Sequence, residues 1–138
     1  MTSPAAGGTG QAGSGPAEPR VLCDAHALAG DPPVPAGVLW KLQEEERQLD
    51  ANLVRVAPGG HIATHCEPDL DVLLYVVAGS GVLGAGTPGE PRRLTEGATV
   101  WLPHGSTRSI TAGEDGLTYL TVHRRRPGMQ IRPRGSAS

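Results

Sequence analysis

The chain has 138 residues, with twelve Lys and Arg against fourteen Asp and Glu and a formal net charge of −2. It therefore lacks the basic surplus that a phosphate-reading surface needs, which argues against nucleic acid as the main partner. The length suits one domain with a real core and not two. No window comes near the ~18 consecutive apolar residues of a membrane span, so no membrane partner is expected.

The first twenty residues are mainly Gly, Ala, Pro, Ser and Thr, with almost nothing to bury. Residues 1–20 are therefore expected to form a disordered leader, since burial cannot offset the entropy of ordering them. They have neither a basic start nor an apolar core, so they do not read as a signal peptide, and the expected location is cytoplasmic. "VLCDAHAL" (21–28) suits a short strand or turn, and "AGDPPVPAG" (29–37) is a Pro-rich connector. "VLWKL" (38–42) reads as a strand. "QEEERQLD" (43–50) has Leu49 as its only strongly apolar residue and is expected to be an exposed, charged loop or hairpin.

From Asn52 onward the pattern is β. "NLVRVA" leads into the turn "PGG" (58–60), after which "HIATHCE" (61–67) places His61, Ala63, His65 and Glu67 on one face by strict alternation. "DVLLYVVAG" (71–79) is a continuous apolar run, as in a strand buried on both faces or lying deep inside a barrel. Turn residues punctuate "GSGVLGAG" and "TPGEPRRLTEG", and "ATVWLP", "TRSITA" and "LTYLTVH" complete a set of short strands. With 20 glycines, 13 prolines and only Trp40, Tyr75, Trp101 and Tyr119 as aromatics, this spacing predicts an antiparallel sandwich or barrel. The domain is taken as residues 21–126. Residues 127–138 belong to a basic tail, within the run "HRRRPGMQIRPRGS" (123–136) that carries five arginines and no acid. That run reads as a solvated tail, or as a hold on an acidic partner or across a dimer.

Residues 53–123 resemble the cupin family. The first cupin motif, G-x5-H-x-H-x(3–4)-E-x6-G, is matched in spacing by Gly59, His65, Glu67, Val72 and Gly79. The second, G-x5-P-x-G-x2-H-x3-N, is matched in spacing by Gly97, Pro103, Gly105, Arg108 and Ala112. The resemblance implies an all-β fold, a double-stranded β-helix or jelly-roll barrel. It also implies that positions 65, 67, 72 and 108 are those that hold a metal in metal-binding cupins. Of these only His65 is kept in kind. Glu67 could still coordinate through oxygen, Val72 has no donor, and Arg108 is a permanent cation. No metal is therefore assigned. If one is present it is a divalent ion such as Fe, Mn, Ni or Zn on His65 and Glu67.

His61 lies four residues from His65, about 13 Å along an extended strand, too far to share an ion unless the strand bends. Asp71 neighbours the missing ligand position and is expected to point away from the interior. Asp69 and Asp71 suit loop capping, His104 is expected to be polar filler in the "PHG" turn, and Tyr75 and Trp101 suit a core or an interface. Cys23 and Cys66 have no CxxC spacing, and Cys66 should face outward.

The expected interior thus holds His65, Glu67 and Arg108 at the barrel mouth, over an apolar floor of Val72, Leu74 and Val76. One reading makes Arg108 and Glu67 an internal ion pair with His65 bonded to it. Another makes Arg108 a fork for the carboxylate or phosphate of a small ligand, with His65 as second donor or proton shuttle. The function expected is that of a small-molecule binder, sensor or scaffold, working as a homodimer whose surface could include "VLWKL". A metal-dependent oxygenase or isomerase and an interaction module with a self-filled pocket are the alternatives. No catalytic residue is assigned.

Overall fold

The computed structural model describes residues 17–84 and 91–127. The leader before Ala17 and the tail after Pro127 lie outside the described residues. One helix, α1 (Ala25–Gly30), precedes seven strands: β1 (Gly37–Lys41), β2 (Leu49–Val56), β3 (His61–Cys66), β4 (Val72–Gly84), β5 (Arg92–Thr95), β6 (Thr99–Leu102) and β7 (Thr107–Arg124). The expectation of a strand or turn at 21–28 is corrected. Asp24 caps a helical turn there, its Oδ1 accepting from the Ala27 amide at 3.1 Å, and the alanine-rich segment behind it favours helix.

β4 and β7 organise the barrel. The amino-terminal half of β4 pairs with β6 (Val72↔Leu102 to Tyr75↔Thr99), while its carboxy-terminal half pairs with β5 (Ser80↔Thr95 to Leu83↔Arg92). β7 divides in the same way. Its first part pairs with β3 and its last part with β2. Both long strands therefore serve two partners in turn within one seven-stranded antiparallel sheet, as strands at the corners of the expected double-stranded β-helix do. The "TRSITA" and "LTYLTVH" strands are one bent element, not two. "GEDG" (113–116) absorbs three extra residues in the ladder between Gly79↔Leu117 and Gly81↔Ala112, a bulge that turns the strand without ending it.

The turn demands glycine where β4 crosses β7. Gly79 has φ +83°, and a Cβ there would run into the Gly116 carbonyl. Alternation fills the interior with Val56, Val72, Leu74, Val76, Leu83, Leu94, Leu102, Ile110, Ala112, Leu117 and Tyr119. Each fully buried Leu or Val contributes about 1.5–3 kcal/mol. The apolar run in β4 is buried on one face only at its start. Val72, Leu74 and Val76 point inward, whereas Leu73 and Tyr75 are exposed. Of the two placements expected for the run, burial on both faces is reached only at Val76 and Val77, because the neighbouring elements leave part of the outer face of this sheet uncovered; α1 reaches β4, but Leu73 and Tyr75 stay open to solvent.

Candidate functional site

Arg108 lies on the interior side of β7, in phase with Ile110 and Ala112, and is 6 % exposed. Its counter-charge is missing. Among the described residues no carboxylate forms an ion pair with it. Its side-chain hydrogen bonds run from Nη1 to the carbonyl and hydroxyl oxygens of Ser106, at 3.4 and 3.3 Å, long for charge-assisted bonds. Nε and Nη2 have no protein acceptor among these residues. A guanidinium held inside a barrel with donors to spare is costly to leave unpaired, and it is suited to receive an anion.

The expected Arg108–Glu67 pair does not form. Glu67 instead accepts from Arg126 Nη2 on Oε1 at 3.0 Å and from the Asp69 amide on Oε2 at 3.0 Å. The Asp69 amide, with Arg126 beside it, holds the Glu67 carboxyl below its ordinary value. Its backbone carbonyl also accepts from the Gly105 amide at 2.8 Å, tying the β3–β4 loop to the turn before β7. Of the arginine run, Arg126 is thus taken up by an acid of its own chain. Nothing in the local sequence marks Arg126 for this role, since it lies 59 residues from Glu67.

His65 faces Arg108 directly across the β3–β7 ladder, a placement that puts two side chains on one face. Its ring is exposed, and Nδ1 donates to the Ala63 carbonyl at 3.1 Å. In the neutral ring that leaves Nε2 as an acceptor. His65 is therefore not bonded to an Arg108–Glu67 pair. The strict alternation that put His61 on the same face is also corrected. The ladder shifts by one residue between Ile62↔Ile110 and His65↔Arg108, so a bulge at Ala63–Thr64 separates the two histidines. His61 sits opposite Thr111 and shares a 2.8 Å hydrogen bond with its hydroxyl.

At the same end of the barrel, Asp71 points away from the interior and fastens the rim. Its Oδ1 accepts from both the amide (2.9 Å) and Nδ1 (2.7 Å) of His104, and the His104 side chain holds the Asp71 carboxyl below its usual value. His104 is therefore a clamp and not filler. Val72 is 6 % exposed, Leu74 1 % and Val76 0 %, so Leu74 and Val76 are sealed core beneath the mouth and only Val72 retains some surface. Tyr119, for which the sequence suggests no site role, also faces inward, opposite Val54 and Val76. Burial pushes its hydroxyl up to about 12, so it stays neutral.

No protein-family model matches the chain, and no curated protein matches it. Solved structures do. The BH2720 protein of Bacillus halodurans superposes with a TM-score of 0.64 at 16% identity, over 81% of this chain and 86% of that one. The cupin domain of Schizosaccharomyces pombe Cnp3 superposes with a TM-score of 0.55 at 16% identity, over 63% and 59%. KdgF from a Halomonas species gives 0.54 at 23% identity, over 67% and 80%. The chain has the cupin fold.

Within that fold, the four positions expected to hold a metal can be tested for fit. Glu67 is turned to Arg126, Val72 offers no donor, Arg108 brings a positive charge and His65 stands alone. Among the described residues no three His, Cys, Asp or Glu side chains come together as a metal group. The donor set does not fit a divalent cation, which needs about three or more ligating side chains. Cys66 is exposed and free, as is the half-buried Cys23. No helix among the described residues is long and apolar enough to cross a membrane.

Proposed function

We propose that this cupin barrel binds a small organic anion at its mouth, with Arg108 as the fork for a carboxylate. The observation that carries this reading is the buried guanidinium with no counter-charge among the described residues. His65, across the ladder from Arg108, supplies a ring nitrogen that suits a hydroxyl of the ligand, and Val72 supplies an apolar contact at the mouth. The sealed state of Leu74 and Val76 favours a short ligand held near the mouth over one that runs deep into the barrel. The role is binding, as a sensor or carrier, with no reaction assigned. In a thermal-shift panel of acetate, butanoate, benzoate and succinate, at least one acid should raise the melting temperature above a sodium chloride control of equal ionic strength. Arg108→Gln should weaken that response about ten- to a hundredfold in concentration, the equivalent of a lost charge-assisted bond. A flat panel, or an undiminished response in the variant, would remove the proposal.

The partner surface proposed is a second copy of the chain. Trp101 is 60 % exposed, Leu73 46 % and Tyr75 37 %, and the ladders join them with half-buried Leu120 and Val122 on one outer sheet face. Two copies could meet there without charge repulsion, because none of these five residues carries a charge at neutral pH. The "VLWKL" strand is a lesser candidate, since Leu39 and Trp40 are half-buried. Light scattering should give a dimer mass that falls to the monomer in Trp101→Glu. A monomeric parent would overturn this assignment.

A further inference from the structure

We propose that Arg126 is a positioning residue for the anion site: by holding the Glu67 carboxylate, it keeps that carboxylate off Arg108 and leaves the interior guanidinium open. The inference rests on the anion-binding reading above and concerns what keeps that site empty of the protein's own charge.

The Glu67 carboxylate is the natural competitor for a ligand. It follows His65 by two residues, about 6.6 Å along the chain, and His65 is the register partner of Arg108. The Glu67 backbone is fixed against Gly105, three residues before Arg108. A half-buried carboxylate this near a buried, uncompensated guanidinium would ordinarily close on it. Both of its oxygens are instead engaged on the other side, by Arg126 Nη2 and the Asp69 amide.

Arg126 can hold it because the arm that carries it is itself fastened. The Arg126 amide donates to Asp50 Oδ2 at 3.1 Å, and the Arg125 amide donates to the Gln48 carbonyl at 2.8 Å. Arg125 Nη1 reaches the carbonyls of Glu45 (2.9 Å) and Arg47 (3.2 Å). Arg124 Nη2 donates weakly to the Asp69 carbonyl at 3.4 Å, beside the loop that presents Glu67. Three consecutive arginines thus cross from the β1–β2 loop and the start of β2 to the β3–β4 loop. The last of them pairs with Glu67, the carboxylate two residues from the register partner of Arg108.

The test is butanoate titration by calorimetry on the full chain and three variants. Arg126→Ala should weaken binding about tenfold or more, as Glu67 turns to Arg108. Glu67→Gln should bind at least as well as the parent. The double variant Arg126→Ala/Glu67→Gln should recover the parent's affinity, which damage to the fold could not produce. Parent-like binding by Arg126→Ala, or a double variant as weak as Arg126→Ala, overturns this inference alone. A parent that binds none of acetate, butanoate, benzoate and succinate through Arg108 overturns the anion-binding reading, and this inference with it.

Discussion

Replacing Arg108 with methionine should make the unliganded protein more stable, by about 1–3 kcal/mol, while removing its response to small carboxylates. The sign follows from the missing partner. A buried ion pair returns part of the cost of taking two charges out of water, whereas Arg108 is buried with only two long contacts to Ser106. Methionine fills a similar elongated volume without that cost, beside Ile110 and within reach of an otherwise apolar interior. Urea denaturation at neutral pH reads the difference. A loss of stability would show Arg108 to be a structural residue whose interactions hold the mouth together, and the case for an anion receptor would fail.

Gly79→Val should cost about 3 kcal/mol, near the top of what single substitutions cost, through backbone strain and a collision at the barrel corner. Gly79 combines φ +83° with a neighbour, the Gly116 carbonyl, in the space a Cβ would take. The strand cannot simply move aside, because Gly81, two residues on, would place a Cβ 2.5 Å from the Thr111 carbonyl. Gly37 is the control. It has φ +105° but open space where a Cβ would stand, so Gly37→Val should lose only the conformational part, about 1 kcal/mol. Equal losses at the two positions would mean that the β4–β7 crossing is looser than the ladders indicate.

These two positions also show what the amino-acid sequence discloses. The frame of the barrel was legible because backbone geometry dictates residue type: Gly59, Gly79, Gly97 and Gly105 all have positive φ, and their spacing survives even where the functional side chains have changed. The inward phase of Val72, Leu74 and Val76 was legible for a similar reason, since alternation is fixed by the strand. The helix at Ala25–Gly30 had a readable signal, an aspartate ahead of an alanine-rich stretch, which the proline-rich surroundings obscured. The bulge at Ala63–Thr64 had none, because neither residue is a glycine or proline. It is the bulge that sends His61 and His65 to different environments.

The charged pairs were the least legible part. Arg108 and Glu67 could be placed near one another from the motif spacing, and opposite charges in one place suggest a bond. The bond that forms involves Arg126, which the chain brings back after β7 has paired first with β3 and then with β2. Likewise His104 and Asp71 are 33 residues apart and meet only because β6 returns beside β4. Sequence proximity gives the candidates for a site, and the topology decides which of them pair.

The central claim is that the Arg108 guanidinium receives an organic anion. The most direct measurement follows the arginine side-chain Nε–Hε resonances of nitrogen-15-labelled protein during titration with sodium butanoate at constant ionic strength. The Arg108 resonance, assigned by its loss in Arg108→Met, should shift and saturate, while those of the exposed Arg20, Arg92 and Arg93 stay in place. An Arg108 resonance that remains fixed while the protein is saturated, or that drifts without saturation alongside the surface arginines, would contradict the account.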